Sequence, residues 1–229
     1  MKFQVLSDLH LEFFGDDTDR KASFIKSLKT DADYVLLAGD ISTGKNLLYD
    51  YNLVTTILGK IIFITGNHEY YNSNKKDVDD MLSMYVEGAF LNNLYIEIDD
   101  VVIIGGTGWH QSFNTQSALL LNDFRIIEEL KNDNHIGMYW HNETYRFFDE
   151  ALNKFKDKTV ICLTHNAPLF KCTPLKYLDN KLNIYFCNNW SDMFAYNPKY
   201  WVYGHMHESN NFVYKNTHEN FVKHLIIEV

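Results

Sequence analysis

Proline and cysteine are both nearly missing from this 229-residue chain, at three residues each. No internal repeat or low-complexity tract is visible, which excludes a solenoid or a linker-joined array. Cys162, Cys172 and Cys187 are odd in number and follow no pattern, so they give no disulfide framework and read as reduced thiols of a cytoplasmic protein. Arginine is rarer than lysine: Arg20, Arg125 and Arg146 are all there is, and each is worth inspection as a phosphate clamp. No stretch approaches about 18 consecutive apolar residues, so no membrane-spanning helix is expected. The residues before Asp8 carry no signal-peptide pattern. A net charge of −9 and the lack of a basic track argue mildly against binding long nucleic acid.

What remains is an ordinary globular composition, 46% hydrophobic, enough for one sizeable core in a single domain over residues 1–229. Short β-branched or aromatic runs at residues 3–6, 34–38, 61–64, 160–163 and 201–203 are each bounded by polar residues or glycine, and read as buried strands. Helices are expected at residues 20–29, 47–58 and 77–86. A hairpin is expected from residues 94–98 and 101–104 around Asp99-Asp100, a turn without the usual glycine. Residues 107–155 read as mostly helical, and the last third returns to strands. Composition and pattern alone give an α/β fold.

Just past each of the five buried runs stands a polar cluster: Asp8-Leu9-His10, Gly39-Asp40, Gly66-Asn67-His68-Glu69, Thr164-His165 and Gly204-His205-Met206-His207. The C-terminal edge of an open α/β sheet is where sites collect, so loops distant in sequence converge there. Asp8, His10, Asp40, Asn67, His165, His205 and His207 are hard or borderline metal ligands, too many for one tetrahedral zinc. Their mixed carboxylate, imidazole and amide donors suit two divalent ions, Mn²⁺ foremost, with Fe, Zn or Ni as alternatives. Asp40, on a tight glycine turn, is the best candidate to bridge them. Two ions about 3.5–4 Å apart clamp the attacking and leaving oxygens of a phosphoryl displacement.

The ordered set resembles the calcineurin-like metallophosphoesterase superfamily over nearly the whole chain. Within it, the segment Ser7-Asp8-Leu9-His10-Leu11-Glu12-Phe13 resembles a group of small bacterial and phage phosphoesterases, as do the Asn67, Trp109, Asp123, His165 and His207 segments. The resemblance implies a four-layer αββα sandwich of two mixed sheets flanked by helices. It implies that Asp8, His10 and His207 hold one ion and Asn67, His165 and His205 the other, with Asp40 shared and a bridging hydroxide as nucleophile. It places His68 beside the ions as a catalytic acid or phosphoryl-binding group. Glu69 is expected to support ligands from behind or to cap the next segment.

The chain departs from the group's pattern at Asn166, where a second histidine often follows His165, and at its end, residues 224–229, where only an edge strand is expected to change. No arginine follows Asp40 closely, which argues against a protein phosphatase.

Residues 107–142 are a candidate cap over the ions. In and beside the site, Asn67, Trp109, Asp123, Arg125 and Asn166 are candidate substrate contacts. Packing is the competing role for Trp109, and a local ion pair for Arg125. The polar loop at residues 166–189 is expected to form a second wall, with Lys171, Lys176 and Lys181 solvated. The expected function is a metal-dependent phosphodiesterase on a small phosphorylated or nucleotide-like substrate. A phosphomonoesterase, a nuclease or a noncatalytic metal-binding module are the alternatives.

Overall fold

Strand formation follows the alternation of the apolar runs. In the computed structural model, which describes residues 1–208, 210–221 and 225–229, the chain opens with β1 (Lys2–Leu6), α1 (Thr18–Ser27), β2 (Tyr34–Ala38), α2 (Leu47–Leu58), β3 (Ile61–Ile64) and α3 (Lys75–Tyr85). It continues through β4 (Ala89–Phe90), the hairpin β5 (Leu94–Ile98) and β6 (Val101–Gly105), and the short helices α4 (Thr115–Ala118), α5 (Asp123–Ile126) and α6 (Glu128–Asn132). The long α7 (Ile136–Lys154), β7 (Thr159–Leu163), α8 (Asn183–Phe186), β8 (Tyr200–Tyr203), β9 (Asn210–Tyr214), β10 (Thr217–Phe221) and β11 (Leu225–Glu228) complete it.

Two mixed sheets result, with strand orders β11-β1-β2-β3-β4 and β5-β6-β7-β8-β10-β9. Strands β1 to β4 run parallel, as do β6, β7, β8 and β10; β11, β5 and β9 are antiparallel edges. Successive side chains on a strand face opposite ways. Phe3, Val5, Leu36, Ala38, Ile62 and Ile64 therefore meet Ile103, Ile161, Leu163 and Val202 between the sheets. Leu6, Val35, Leu37 and Phe63 face Ile25, Tyr51, Val54 and Leu82 of the helices outside the first sheet. Val102, Ile104, Cys162 and Trp201 face Phe148, Ala151 and Leu152 of α7 outside the second. Three apolar layers between four structural layers make the expected αββα sandwich.

Helix starts differ from the sequence expectation for a local reason. Asp17 caps α1 by accepting from Arg20 N at 3.0 Å, and Asn74 caps α3 by accepting from Asp77 N at 2.9 Å. Both helices therefore begin two residues earlier than periodicity alone indicates, because a cap satisfies free amides of the first turn. In the hairpin turn, Asp99 takes the left-handed backbone (φ 52°) that glycine usually supplies. Cys162, Cys172 and Cys187 are free and buried. Among the described residues, no helix is long and apolar enough to cross a membrane. Of the closing segment, His224 lies outside the described residues, and β11 pairs antiparallel with β1 at the sheet edge.

The first helix layer holds a buried ion pair. Lys21 Nζ of α1 donates to both Asp50 oxygens of α2, at 2.7 and 2.8 Å, and Ser42 Oγ donates to the same carboxylate. Both charges are excluded from water, Lys21 being 1% and Asp50 0% exposed. Removing one partner leaves an unpaired buried charge. Lys21→Met is expected to lower stability by about 3–5 kcal/mol, and adding Asp50→Leu to restore most of it. Urea unfolding of the two variants checks this. A single variant as stable as the parent would show that water reaches Asp50.

Candidate metal centre

Every cluster singled out in the sequence lies just past a strand: Asp8 and His10 after β1, Asp40 after β2, Asn67 and His68 after β3, His165 after β7, and His205 and His207 after β8. Three strands of one sheet and two of the other thus point their C-terminal ends at one volume. The loops are laced by main-chain bonds, Asp8 N to Gly39 O (3.1 Å), His10 N to Asp40 O (3.0 Å) and Gly204 N to His165 O (3.0 Å).

The backbone here is strained. Asp8, His10, Asp40, His205 and His207 have φ of 54°, 47°, 55°, 67° and 54°. Such left-handed conformations cost non-glycine residues about 1–3 kcal/mol each and persist only where the surroundings impose them. Close approach adds a second constraint. A Cβ on Gly39 would lie 2.4 Å from Gly66 N, and one on Gly66 would lie 2.2 Å from Asp40 Oδ1. Only glycine lets the β2 and β3 loops pass this close.

Among the described residues, two groups of side chains that could each hold an ion meet at Asp40, namely Asp8, His10, Asp40 and His207, and Asp40, His165 and His205; a third, His10, Glu12 and His68, has its carboxylate taken by the two imidazoles. In the first, His207 Nε2 lies 3.4 Å from His10 Nε2 and 3.3 Å from Asp8 Oδ1. In the second, His165 Nε2 lies 3.1 Å from His205 Nδ1, 3.2 Å from Asn67 Oδ1 and 3.3 Å from Asp40 Oδ2. Asp40 belongs to both groups, and its Oδ2 is buried with no hydrogen-bond partner. A buried carboxylate oxygen left without a donor, facing imidazole nitrogens, is what a divalent cation would satisfy.

Second contacts orient these donors. His165 Nδ1 donates to Ala38 O at 2.7 Å, which turns Nε2 toward Asp40; burial lowers this imidazole's pKa, but the Asp40 and Asp8 carboxylates override it and raise it to about 10, so an ion binding at Nε2 would displace a proton. His10 Nδ1 is held by Glu12 Oε1 at 3.0 Å, which turns its Nε2 toward Asp40 as well. Asp8 accepts from His205 N at 3.1 Å, and Asp40 Oδ1 accepts from His68 N at 2.9 Å. Burial holds the His205 and His207 imidazoles below their ordinary range, so both are neutral, as a ligand must be. Burial pushes the Asp40 carboxyl up, but the surrounding His165, His68 and His10 outweigh it and hold the group well below the usual carboxylate range.

Beneath the centre lies Glu69, 1% exposed. Its carboxylate accepts from Asp40 N (3.0 Å), Ile41 N (2.7 Å), Gly66 N (2.7 Å) and Tyr51 OH (3.0 Å). That is the supporting position expected for it.

Two further residues were not singled out by sequence reasoning. Glu12 Oε1 also accepts from His68 Nδ1, at 2.9 Å, so one carboxylate spans His10 and His68. Burial lowers the His68 imidazole pKa, yet the Glu12 hydrogen bond and the nearby carboxylates override it and raise the pKa to about 9. Tyr71 packs against His68, ring centroids 4.2 Å apart and planes tilted by 30°. The usable signals were spacings: Glu12 two residues past His10, and Tyr71 four past Asn67.

A cleft of about 420 Å³ opens over the centre. Asp40, Asn67, His68, His205 and His207 form its floor. Leu120, Leu121, Asn122 and Asp123 form one wall, and Tyr177, Asn183, Tyr185 and Phe186 the other. The second wall belongs to the 166–189 loop named from the sequence. Asp123 accepts from Tyr71 OH at 2.7 Å and Asn67 Nδ2 at 2.9 Å.

The remaining expected substrate contacts lie elsewhere. Trp109 is buried beside Tyr70 and Trp140 and does not line the cleft. Arg125 is exposed, outside the cleft lining, and its guanidinium donates to Leu119 O. Asn166 is buried, its Nδ2 donating to Tyr185 O at 2.6 Å, so it braces the second wall from behind. Packing and main-chain satisfaction account for all three positions.

A family model for calcineurin-like phosphoesterases matches residues 1–209. The chain belongs to that family. Protein L509 of Acanthamoeba polyphaga mimivirus is 30% identical over 91% of this chain and 85% of its own length. Among solved structures, phosphopantetheinyl hydrolase from Mycobacterium tuberculosis has the same fold, with a TM-score of 0.74 and 15% identity over 96% of this chain and 87% of that one. A putative 5'-nucleotidase from Staphylococcus aureus is similar at a TM-score of 0.55 and 16% identity, over 96% of this chain and 48% of that one. Membership supports a hydrolase of phosphoesters that depends on divalent metal.

The Glu69 carboxylate joins two ligand loops, so its loss strands three main-chain amides and the Tyr51 hydroxyl. Glu69→Ala is expected to lower the stability of the metal-free chain by about 3–5 kcal/mol. Denaturant unfolding in EDTA measures it, and a loss under about 1 kcal/mol would show that the loops hold their shape without this acceptor.

Proposed function

We propose that this protein is a dinuclear metal-dependent phosphodiesterase acting on a small or nucleotide-like substrate. The observation that carries it is the shared Asp40, placed between two groups of metal-ligating side chains at the floor of one cleft. Asp8, His10 and His207 would hold one ion, Asn67, His165 and His205 the other, and Asp40 both. Bound ions supply a water nucleophile activated near neutral pH and stabilise charge on the phosphoryl oxygens.

The chain's own residues do the rest. His68 lines the cleft with Nδ1 tied to Glu12, which leaves Nε2 to carry the proton for the departing alcohol oxygen. Glu12 and Tyr71 fix that ring from its edge and its face.

Diester preference rests on charge. A phosphomonoester carries about −1.5 to −2 near neutral pH, and arginine is the usual clamp for such a group. Among the described residues, no lysine or arginine lines the cleft. A diester brings a single charge, which the centre itself can offset. Apart from Asp123, whose carboxylate is engaged by Asn67 and Tyr71, the walls of leucine, tyrosine, phenylalanine and asparagine are uncharged, which suits an uncharged leaving group such as a nucleoside. Mn²⁺ is the proposed ion, since the donors mix carboxylate, amide and imidazole without thiolate.

The deciding assay compares a chromogenic phosphodiester with its monoester, using Mn²⁺-loaded protein and an EDTA-treated control. Metal-dependent turnover of the diester is expected; turnover of the monoester alone would make the protein a phosphatase. His68→Ala is expected to keep both ions and lose about 10²–10⁴ in kcat. Unchanged turnover would remove His68 from the chemistry. Asp40→Asn is expected to lose metal and activity together, because a neutral amide bridges two cations poorly; full metal content by elemental analysis would place the bridge elsewhere.

A further inference from the structure

Asn67 is the one ligand candidate whose donor atom depends on which way an amide is turned. Its Oδ1 lies 3.2 Å from His165 Nε2, inside the second ligand group. Its Nδ2 points away, donating to Asp123 Oδ1 at 2.9 Å and to Tyr71 OH at 3.1 Å. Tyr71 OH in turn donates to the same Asp123 oxygen at 2.7 Å. The three groups close a triangle on one carboxylate oxygen.

A carboxylate accepts and does not donate, so the amide can present only its NH2 side to Asp123. That choice fixes Oδ1 toward the histidines. The reverse orientation would place a carbonyl oxygen against a carboxylate and an NH2 against the cation. Asp123 comes from α5, 56 residues along the chain, and lies in the wall of the cleft. From the wall it reaches back to set a group on the floor.

We infer that Asp123 and Tyr71 are positioning residues that lock the Asn67 amide with its oxygen toward the second metal position. This inference rests on the two-ion reading above. It assigns to Asp123 a role toward the metal centre in place of the substrate contact its sequence position indicates. Partners of this kind change metal affinity about 10–100-fold when removed.

The test is Mn²⁺ binding followed by calorimetry and by electron paramagnetic resonance, without substrate. Wild type is expected to bind two ions with the spin-coupled signal of a close pair. Asp123→Ala is expected to keep the first ion at parental affinity and bind the second about 10–100-fold more weakly, with loss of the coupled signal at limiting metal. Asp123→Asn retains an acceptor oxygen and should recover part of that affinity. Tyr71→Phe keeps the ring on His68 and loses only the hydroxyl, so it should weaken the second ion less than Asp123→Ala does.

Parental second-ion affinity in Asp123→Ala would overturn the clamp and leave the two-ion reading intact. A wild-type chain that takes up only one ion would overturn both. Should Asp123→Ala unfold, the Asn and Phe variants carry the test: parental second-ion affinity in both would reject the clamp.

Discussion

The Glu69 carboxylate holds together what the rest of the site requires. It takes the main-chain amides of Asp40, Ile41 and Gly66 and the hydroxyl of Tyr51 into one buried acceptor. The loops after β2 and β3 are thereby joined from below. Without such an acceptor, two glycine turns approaching to within van der Waals limits would expose their amides to an apolar interior. The positions of Asp40 above and of Asn67 and His68 beside it follow from this junction. The side chain that decides the site's shape therefore touches no candidate metal position itself.

Strain accompanies this crowding of loops at the strand ends. Five of the ligand candidates, Asp8, His10, Asp40, His205 and His207, have left-handed backbone. Aspartate and histidine tolerate this region better than branched residues do, but the conformation is still unfavourable. The sandwich supplies the offset. Parallel strands packed on both faces by apolar layers do not move, so their loops can be held in conformations a free peptide would leave. An ion pair such as Lys21–Asp50, sealed between α1 and α2, stiffens the same layer on the outside of β1 and β2.

The strands and the placement of the candidate ligands at their ends were legible in the sequence because both are local signals. A four- or five-residue apolar run ending in Asp-x-His or Gly-Asn-His states its own register, and the sheet edge then brings the ends together. The four-layer arrangement was legible only through family resemblance, since nothing in the pattern says that two sheets stack. What lay beyond reach was side-chain direction over distance. Trp109, Arg125 and Asn166 have the right chemistry for a substrate wall, yet one packs on Tyr70 and Trp140, one serves Leu119 O, and one serves Tyr185 O. Glu12 was passed over for the opposite reason. Nothing in its local sequence marks it, and its value appears only when His68, 56 residues away, folds onto it.

The helical segment between β6 and β7 divides its duties by position. Its long element, α7, is structural and packs Phe148 and Leu152 against the second sheet. Its short elements reach the opening: Leu120 and Leu121 face the cleft, and Asp123 turns down to Asn67. An otherwise uncharged wall that ends in one half-buried acid cannot grip an anion directly. It can shape the space for an uncharged group and hold a floor residue in one orientation. Charge compensation for the phosphoryl group must then come from the floor, from the histidines and the cations they would gather around Asp40. On the proposed two-ion reading, affinity for the reacting group and affinity for metal would become the same property, and such a cleft would discriminate by leaving group and leave phosphate recognition to the ions.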